Sequence, residues 1–125
     1  MKIGFIGTGK IASSVITGIC SSKISFVKIL VSYRNKDIAN KLKKKFKKVT
    51  IVRDNQEIVD NCNWIFLSIR PTIGKKIIKK LKFNSKQIII SFISTITLSE
   101  LKKLIKVKAK IVRAIPLPPI SLKKG

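Results

Sequence analysis

The sequence predicts an α/β fold: a doubly wound, mostly parallel sheet of about six strands with helices on both faces. Short apolar segments typical of buried strands alternate with segments whose apolar residues recur at helical spacing. The connections are short, and residues 63–69 form the continuous apolar run expected of a parallel strand covered on both faces. With 125 residues the chain has room for one domain, so residues 1–125 are predicted to form a single domain.

The individual elements follow from the same patterns. Strands are predicted at residues 2–6, 28–33, 49–52, 63–69, 87–91 and 109–115. Helices are predicted at residues 10–20, 36–48, 55–61, 72–82 and 97–106. In the second helix, Ile38, Leu42 and Phe46 recur every four residues and form its apolar face. Asp54 and Thr97 precede the third and fifth helices and are candidate N-caps.

The chain is strongly basic, with 28 Lys and Arg against five acidic residues and a net charge of +23. Such a charge indicates an anionic partner. However, 24 of the basic residues are Lys, Ile is equally abundant, and the lysines are spread over four of the five predicted helices. Nucleic-acid surfaces favour Arg for bidentate contacts and aromatic residues for stacking. We therefore expect a solvated basic surface, and nucleic-acid binding is the less favoured interpretation.

Several classes of site are disfavoured by the composition. The chain contains no His, which removes His general bases, Ser–His triads and His-ligated metals. The five acidic residues are spread along the chain, so no metal site is predicted, and no catalytic residue is identified. Cys20 and Cys62 form no C-x-x-C pair and are expected to be buried thiols of a reducing compartment. No signal peptide or membrane span is predicted, so a cytoplasmic location is expected.

A glycine-rich segment, FIGTGKIASS at residues 5–14, follows the first predicted strand and opens the first predicted helix. This is the context in which a G-x-G-x-x-G/A motif binds the pyrophosphate of a dinucleotide in Rossmann-like folds. Gly7 suits the tight turn, Gly9 lets the backbone approach the phosphates, and Ala12 lets the helix pack near the strand. The helix N-terminus at residues 9–12 would face the phosphates. A plain glycine turn without a ligand remains the alternative.

The end of the second predicted strand reads Ser32-Tyr33-Arg34-Asn35. Sites for NAD usually carry Asp or Glu here, which accepts a hydrogen bond from the ribose 2′-hydroxyl. An Arg at this point suits a 2′-phosphate instead. The sequence therefore favours NADP(H) over NAD(H) as the cofactor.

Five segments, in order over nearly the whole chain, resemble the N-terminal NAD(P)-binding domain of the pyrroline-5-carboxylate reductase family. They read IGFIGTGKIASSVITGI, SYRN, DNQEIVDNCNWIFLSIRP, IIISFISTIT and IVRAIPLPPISLKKG. The resemblance implies an oxidoreductase of proline biosynthesis that transfers a hydride from NAD(P)H to the C=N bond of 1-pyrroline-5-carboxylate.

The resemblance also implies which residues bind the cofactor. The pyrophosphate would be held by Gly7, Thr8, Gly9, Lys10, Ile11 and Ala12. The 2′-phosphate side would be held by Ser32, Arg34 and Asn35, and the adenosine ribose would be touched by Asn55. The nicotinamide would be lined by Ser68, Ile69, Arg70 and Pro71, with Ser94 and Thr95 near the reacting end.

The chain departs from the family pattern at the substrate end. The family's Lys-Pro is Arg70-Pro71, its Ala-Gly is Ser94-Thr95, and its M-P-N-T-P reads Ile115-Pro116-Leu117-Pro118-Pro119. A related imine or carbonyl compound is therefore an alternative substrate. The family continues into a helical second domain that forms the dimer and the substrate pocket. We therefore expect turnover to depend on such a domain, and residues 116–120 to support self-association or a helical partner.

Two other functions remain open. One is a dinucleotide-binding module without turnover, including a truncated remnant of such an enzyme. The other is a basic nucleic-acid-binding protein on an α/β scaffold, which leaves the five matching segments unexplained.

Overall fold

The polypeptide folds around a parallel sheet with the strand order β3-β2-β1-β4-β5-β6. The computed structural model describes residues 1–26, 28–33 and 35–114, and within them the sheet has six strands, all paired in parallel. The strands are β1 (Lys2–Ile6), β2 (Lys28–Ser32), β3 (Val49–Val52), β4 (Trp64–Leu67), β5 (Ile88–Ser91) and β6 (Lys110–Arg113). The helices are α1 (Lys10–Cys20), α2 (Lys36–Lys45), α3 (Asn55–Asn61), α4 (Pro71–Lys80) and α5 (Leu98–Ile105). The predicted fold class is confirmed.

Helices cover both faces of the sheet, because successive residues of each strand point to opposite sides. On one face, Ile16 of α1 and Leu42 of α2 share a buried cluster with Phe5 of β1. On the other face, the buried residues of α3, α4 and α5 share a second cluster with Leu67 of β4 and Ile89 of β5. Each central strand is therefore buried on both sides, as its apolar sequence predicts.

The contact between α3 and β1 is unusually close at Gly4. A Cβ atom there would lie 2.4 Å from the Ile58 Cγ2 atom and 2.9 Å from the Cys62 Sγ atom. Both neighbours are buried, so neither has room to move away. Gly4 therefore sets how tightly α3 approaches the centre of the sheet.

The strand order changes direction between β1 and β4. The chain moves outward from β1 to β2 and β3, then returns to β4 on the other side of β1. Loops at the carboxyl ends of β1 and β4 thus leave in opposite directions, and a crevice opens between them. This is the place where open α/β sheets bind their ligands.

All the predicted strands and helices are observed, but the ends of several of them differ. α2 ends at Lys45 rather than at residue 48, because Phe46 adopts an extended backbone while its side chain still packs on the apolar cluster. α4 spans Pro71–Lys80 rather than residues 72–82, since proline suits the first helical position. β4 and β6 are shorter than predicted, and the predictions at Arg34 and residues 115–120 lie outside the described residues.

Capping explains several correctly placed helix starts. The Asp54 carboxylate accepts a hydrogen bond from the Gln56 amide at 3.1 Å, which begins α3. Thr97 and Glu100 form a capping box that begins α5. In the part of the chain that the structure describes, both cysteines are free thiols, and no helix has the length and apolar character needed to cross a bilayer.

Candidate functional site

The glycine loop lies between β1 and α1, at the carboxyl end of the sheet where the strand order changes direction. Gly7 has a φ of 96°, a left-handed backbone that side-chain-bearing residues rarely adopt. A Cβ atom at Gly7 would lie 2.6 Å from the Ser68 carbonyl oxygen and 2.9 Å from the Ile69 nitrogen. These neighbours are backbone atoms of the segment that leaves β4. Glycine is therefore required at position 7 by the protein itself.

Two serine side chains, one at the end of β2 and one directly after β4, hold this loop in place. The Gly7 amide donates to the Ser32 Oγ atom at 3.0 Å, and the Ser68 Oγ atom donates to the Gly7 carbonyl at 2.6 Å. The Thr8 hydroxyl donates to the Ser32 carbonyl at 2.9 Å. Ser32 and Thr8 are buried, with 4% and 3% of their surface exposed. The loop is therefore fixed from both sides, and Ser32 uses its hydroxyl to hold it.

Replacing Ser32 with alanine is expected to destabilise the fold by about 1–2 kcal/mol, because the partly buried Gly7 amide loses its acceptor. Urea denaturation followed by circular dichroism measures the change in the free energy of unfolding. Ser94→Ala is the control, since Ser94 is exposed and the change should stay within about 0.5 kcal/mol. Equal effects of the two substitutions would contradict the holding role of Ser32.

Gly9 has the opposite environment to Gly7. Its φ of −105° is open to any residue, and among the described residues beyond Gly9 and its two chain neighbours no atom lies within 4 Å of an added Cβ atom. Glycine at position 9 is therefore not needed for packing or for backbone conformation. The absence of a side chain leaves an open cradle beside the start of α1, which suits close approach by a ligand's phosphates.

Two of the helices that begin at this end of the sheet, α1 and α4, start differently from the other three. Asn35, Asp54 and Thr97 cap α2, α3 and α5 with their side chains. Within the described residues, α1 and α4 have no side-chain cap and no acidic residue in the first turn. Their free amides and positive dipole ends, next to Gly9 and Arg70, thus remain available to an anion.

Two adjoining cavities form the candidate site. The larger has a volume of about 520 Å³ and runs from the start of α2 across the glycine loop to the start of α4. Its lining residues are Gly7, Thr8, Gly9, Asn35, Lys36, Asp37, Ser68, Ile69, Arg70, Thr72 and Ile73. The smaller, about 170 Å³, is lined by Ile6, Gly7, Ser32, Tyr33, Arg53, Asn55, Ile69 and Ile77. Gly7 and Ile69 line both, so one elongated ligand can occupy the two.

Many of the residues singled out in the sequence meet in these cavities. Those lining one or both are Gly7, Thr8, Gly9, Ser32, Asn35, Asn55, Ser68, Ile69 and Arg70. Those lining neither are Lys10, Ile11, Ala12, Pro71, Ser94 and Thr95. Ala12 is a fully buried residue of α1, and Ile11 is 47% exposed. The Ser94 carbonyl accepts a hydrogen bond from Arg113 at 2.7 Å. Arg34 is outside the described residues.

The structure also adds residues that the sequence reasoning missed. Lys36 and Asp37 line the larger cavity, and Tyr33 and Arg53 line the smaller one. The Lys36 ammonium nitrogen lies 4.9 Å from the centroid of the Tyr33 ring, and the Arg53 guanidinium carbon lies 5.4 Å from it. The sequence did contain a signal for Arg53, because this residue directly follows β3. Since β2 and β3 pair in parallel, the residues that follow them lie at the same end of the sheet.

These two cations affect the phenol of Tyr33. Hydrogen bonding from the Lys36 ammonium lowers the pKa of Tyr33 below its usual value, and the charges of Lys36 and Arg53 add to the effect. By contrast, burial raises the pKa of Cys62 to about 11, so this thiol stays protonated at neutral pH. The cysteine therefore has no activated thiolate.

The chemistry of the lining residues is that of an anion-binding crevice. They present backbone amides, hydroxyl and amide side chains, and the cations Lys36, Arg53 and Arg70, with Asp37 as their acidic member. Within the described ranges, no three His, Cys, Asp or Glu side chains gather where they could hold a metal. The lining suits the binding and orientation of a phosphate-rich ligand. The open cradle at Gly9 fits a dinucleotide, whose pyrophosphate needs this approach.

Comparisons with known proteins agree with this geometry. A sequence profile of the family described as NADP oxidoreductase coenzyme F420-dependent matches residues 2–95. Pyrroline-5-carboxylate reductase 3 from Danio rerio is 30% identical over 128 residues, which cover 100% of this chain and 44% of that protein. The 1-pyrroline-5-carboxylate reductase structure from Streptococcus pyogenes matches with a TM-score of 0.79 and 29% identity, covering 98% of this chain and 45% of that one.

A more distant structure shows the same fold. Pyrroline carboxylate reductase from Plasmodium falciparum, solved with NADP bound, matches with a TM-score of 0.81 and 22% identity over 98% of this chain and 44% of that one. The chain thus spans less than half the length of these relatives. The resemblance drawn from the five sequence segments is confirmed.

Proposed function

Because the chain belongs to the NADP oxidoreductase coenzyme F420-dependent family, we propose that it binds NADP(H) as the cofactor domain of a pyrroline-5-carboxylate reductase-like enzyme. The observation that carries the proposal is the contrast between the two loop glycines. Gly7 is required by the backbone around it, whereas Gly9 is required by no described protein atom and leaves an open cradle at the switch point. A bound pyrophosphate gives a reason for glycine at position 9.

The chain's own residues would bind and orient the cofactor. The backbone at residues 7–12 would hold the pyrophosphate through the free amides at the start of α1. Asn55, which lines the smaller cavity, would contact the adenosine ribose. Residues 68–71 would line the nicotinamide, with Ser94 and Thr95 near the reacting end. When bound, the nicotinamide supplies a hydride, while the protein positions it and excludes water.

The preference for NADP(H) over NAD(H) is part of the proposal. Neither Asp nor Glu directly follows β2, where an NAD site usually carries one, and the sequence there supplies Arg34 and Asn35. Asn35 lines the larger cavity and its side-chain oxygen accepts from the Ile38 amide at 3.4 Å. Ser32 supports the site indirectly, because its hydroxyl already holds the glycine loop.

The proposed substrate is a small cyclic imine, with a related imine or carbonyl compound as the alternative. The relatives are named as reductases of pyrroline-5-carboxylate. This chain spans less than half of their length. We therefore propose that turnover requires a helical domain, supplied by further polypeptide or by a partner. Self-association through residues 116–120 and a cytoplasmic location remain predictions.

A fluorescence titration with NADPH and, separately, NADH tests the cofactor proposal. About 0.3 M salt screens the generic attraction of phosphates to a protein of charge +23. Nicotinamide emission is the signal, because Trp64 begins β4 at the end of the strand away from the crevice. We expect saturable binding that is tighter for NADPH and weakened by Arg34→Ala.

The control for the titration is Lys86→Gln, which also removes one positive charge. Lys86 lies just before β5, at the amino-terminal end of the strands and so at the opposite end of the sheet from the crevice. Equal affinity for the two cofactors would overturn the NADP preference, and no binding of either would overturn the function. Binding without reduction of 1-pyrroline-5-carboxylate, even after a helical domain is added, would identify a non-catalytic dinucleotide module.

A further inference from the structure

We propose that the 2′-phosphate of NADP is bound between Lys36 and Arg53 beside Tyr33, so that Arg53 is a specificity-determining residue of this chain. The inference rests on the proposed function and deepens it. It places the phosphate beside Tyr33, between Lys36, which lines the larger cavity, and Arg53, which lines the smaller one.

The positions of the two cations carry the inference. Lys36 is the first residue of α2, and Arg53 directly follows β3, so two separate elements bring positive charge to one aromatic ring. Both groups lie within 5.4 Å of the ring centroid of Tyr33. A phosphate beside this ring can therefore accept charge-assisted hydrogen bonds from both cations.

Arg53 has the capacity to bind such a ligand. Its side chain is exposed, and within the described residues its guanidinium forms neither a hydrogen bond nor an ion pair with the protein. The fork of donors on an arginine matches the oxygens of a phosphate. The ring of Tyr33 limits the directions that the guanidinium can take, which lowers the entropy lost on binding.

In the part of the chain that the structure describes, the neighbouring acidic groups leave both cations without an ion pair. Asp54 follows Arg53, and its carboxylate accepts a hydrogen bond from the Gln56 amide at the start of α3. Asp37 lies in the first turn of α2 and lines the larger cavity, away from the pocket that Tyr33 and Arg53 line. Among the described residues neither carboxylate forms an ion pair with Lys36 or Arg53, so both cations remain available to a phosphate.

Two nucleotides that differ only by the relevant group test the inference. The 2′-phosphate is present in 2′,5′-ADP and absent from 5′-AMP, and neither contains a nicotinamide. At about 0.3 M salt, Arg53→Gln is expected to weaken 2′,5′-ADP binding by about 10- to 100-fold and to leave 5′-AMP binding within about twofold. Lys86→Gln removes the same charge elsewhere and should change neither, and Arg34→Ala is measured in parallel.

Tyr33 supplies an independent spectroscopic readout, because it is the only tyrosine of the chain. Absorbance of the phenolate against pH gives its pKa directly. Binding of 2′,5′-ADP is expected to raise that pKa, because the phosphate neutralises the cations that lower it. Binding of 5′-AMP should leave it nearly unchanged.

The outcomes separate this inference from the function it rests on. Tighter binding of NADPH than of NADH, combined with equal losses of 2′,5′-ADP and 5′-AMP binding in Arg53→Gln, would overturn the inference and leave the function standing. An unchanged Tyr33 pKa in the 2′,5′-ADP complex would also overturn it. If neither dinucleotide binds to the wild-type protein, the function and the inference fail together.

Discussion

Replacing Gly9 with aspartate is expected to abolish dinucleotide binding while leaving the fold as stable as before. Gly9 is the N-cap of α1, with an extended backbone and a vacant cradle around it among the described atoms. Aspartate is a preferred N-cap residue, so the free energy of unfolding should change by only a few tenths of a kcal/mol. The carboxylate would stand where the pyrophosphate is expected. Like charges about 4 Å apart near a protein surface repel by several kcal/mol, so affinity should fall by about 100-fold or more.

Two further substitutions at Gly9 divide this effect into its parts. Gly9→Asn supplies a similar cap and similar volume without the charge, and Gly9→Ala supplies only the Cβ atom. We expect binding to decrease in the order wild type, Ala, Asn, Asp, as measured by titration with NADPH. Circular dichroism and urea denaturation establish that each variant folds. Full NADPH affinity in a folded Gly9→Asp variant would rule out a phosphate site at this loop.

Replacing Gly7 with alanine should have the reverse pattern and destabilise the fold itself. The residue has a φ of 96°, and a left-handed backbone costs a residue with a side chain about 1–2 kcal/mol. The new Cβ atom would also press on the Ser68 carbonyl and the Ile69 amide, and overpacking typically costs about 1–3 kcal/mol. Together these effects predict a loss of about 2–5 kcal/mol, a large part of the stability of a small domain.

Urea denaturation of Gly7→Ala beside Gly9→Ala measures this loss. Both variants add one methyl group to the same loop, two residues apart. The change at Gly9 should cost at most about 1 kcal/mol, from its lower preference as an N-cap. If Gly7→Ala were as stable as Gly9→Ala, the strained turn described here would be wrong. The pair therefore distinguishes a glycine needed for folding from one needed for binding.

The sequence predicts the fold well because its local signals agree with one another. Short apolar runs predict the strands, and apolar residues at helical spacing predict the helices. Caps such as Asp54 and Thr97 and the glycine turn mark where helices begin, and all these signals agree on strands and helices in strict alternation. The errors are at the ends of elements. Phe46 continues the helical spacing of α2, yet its backbone is extended, because burial of its ring does not require a helical residue. Periodicity reports which face is buried, and not where the hydrogen bonds end.

The site is less predictable from sequence than the fold. The glycine loop could be found because glycine has a specific backbone role. The loop-holding role of Ser32 could not, because the hydrogen bond from the Gly7 amide to its hydroxyl joins residues 25 positions apart in the sequence. Arg53 was overlooked although its place directly after β3 is visible in the sequence, and its proximity to Tyr33 follows from the parallel pairing of β2 and β3. Such relationships are set by tertiary structure, which local patterns do not contain.

The hydroxyl groups that hold the glycine loop also bear on the entropy of binding. Gly7 has both its amide and its carbonyl engaged by Ser32 and Ser68, so this part of the loop loses its conformational freedom when the chain folds. Little ordering of the turn remains for the moment when a ligand arrives. Adjustment is then confined to the cradle at Gly9 and the first amides of α1. A recognition surface arranged in this way is preorganised, and most of the interaction energy of a ligand can appear as affinity.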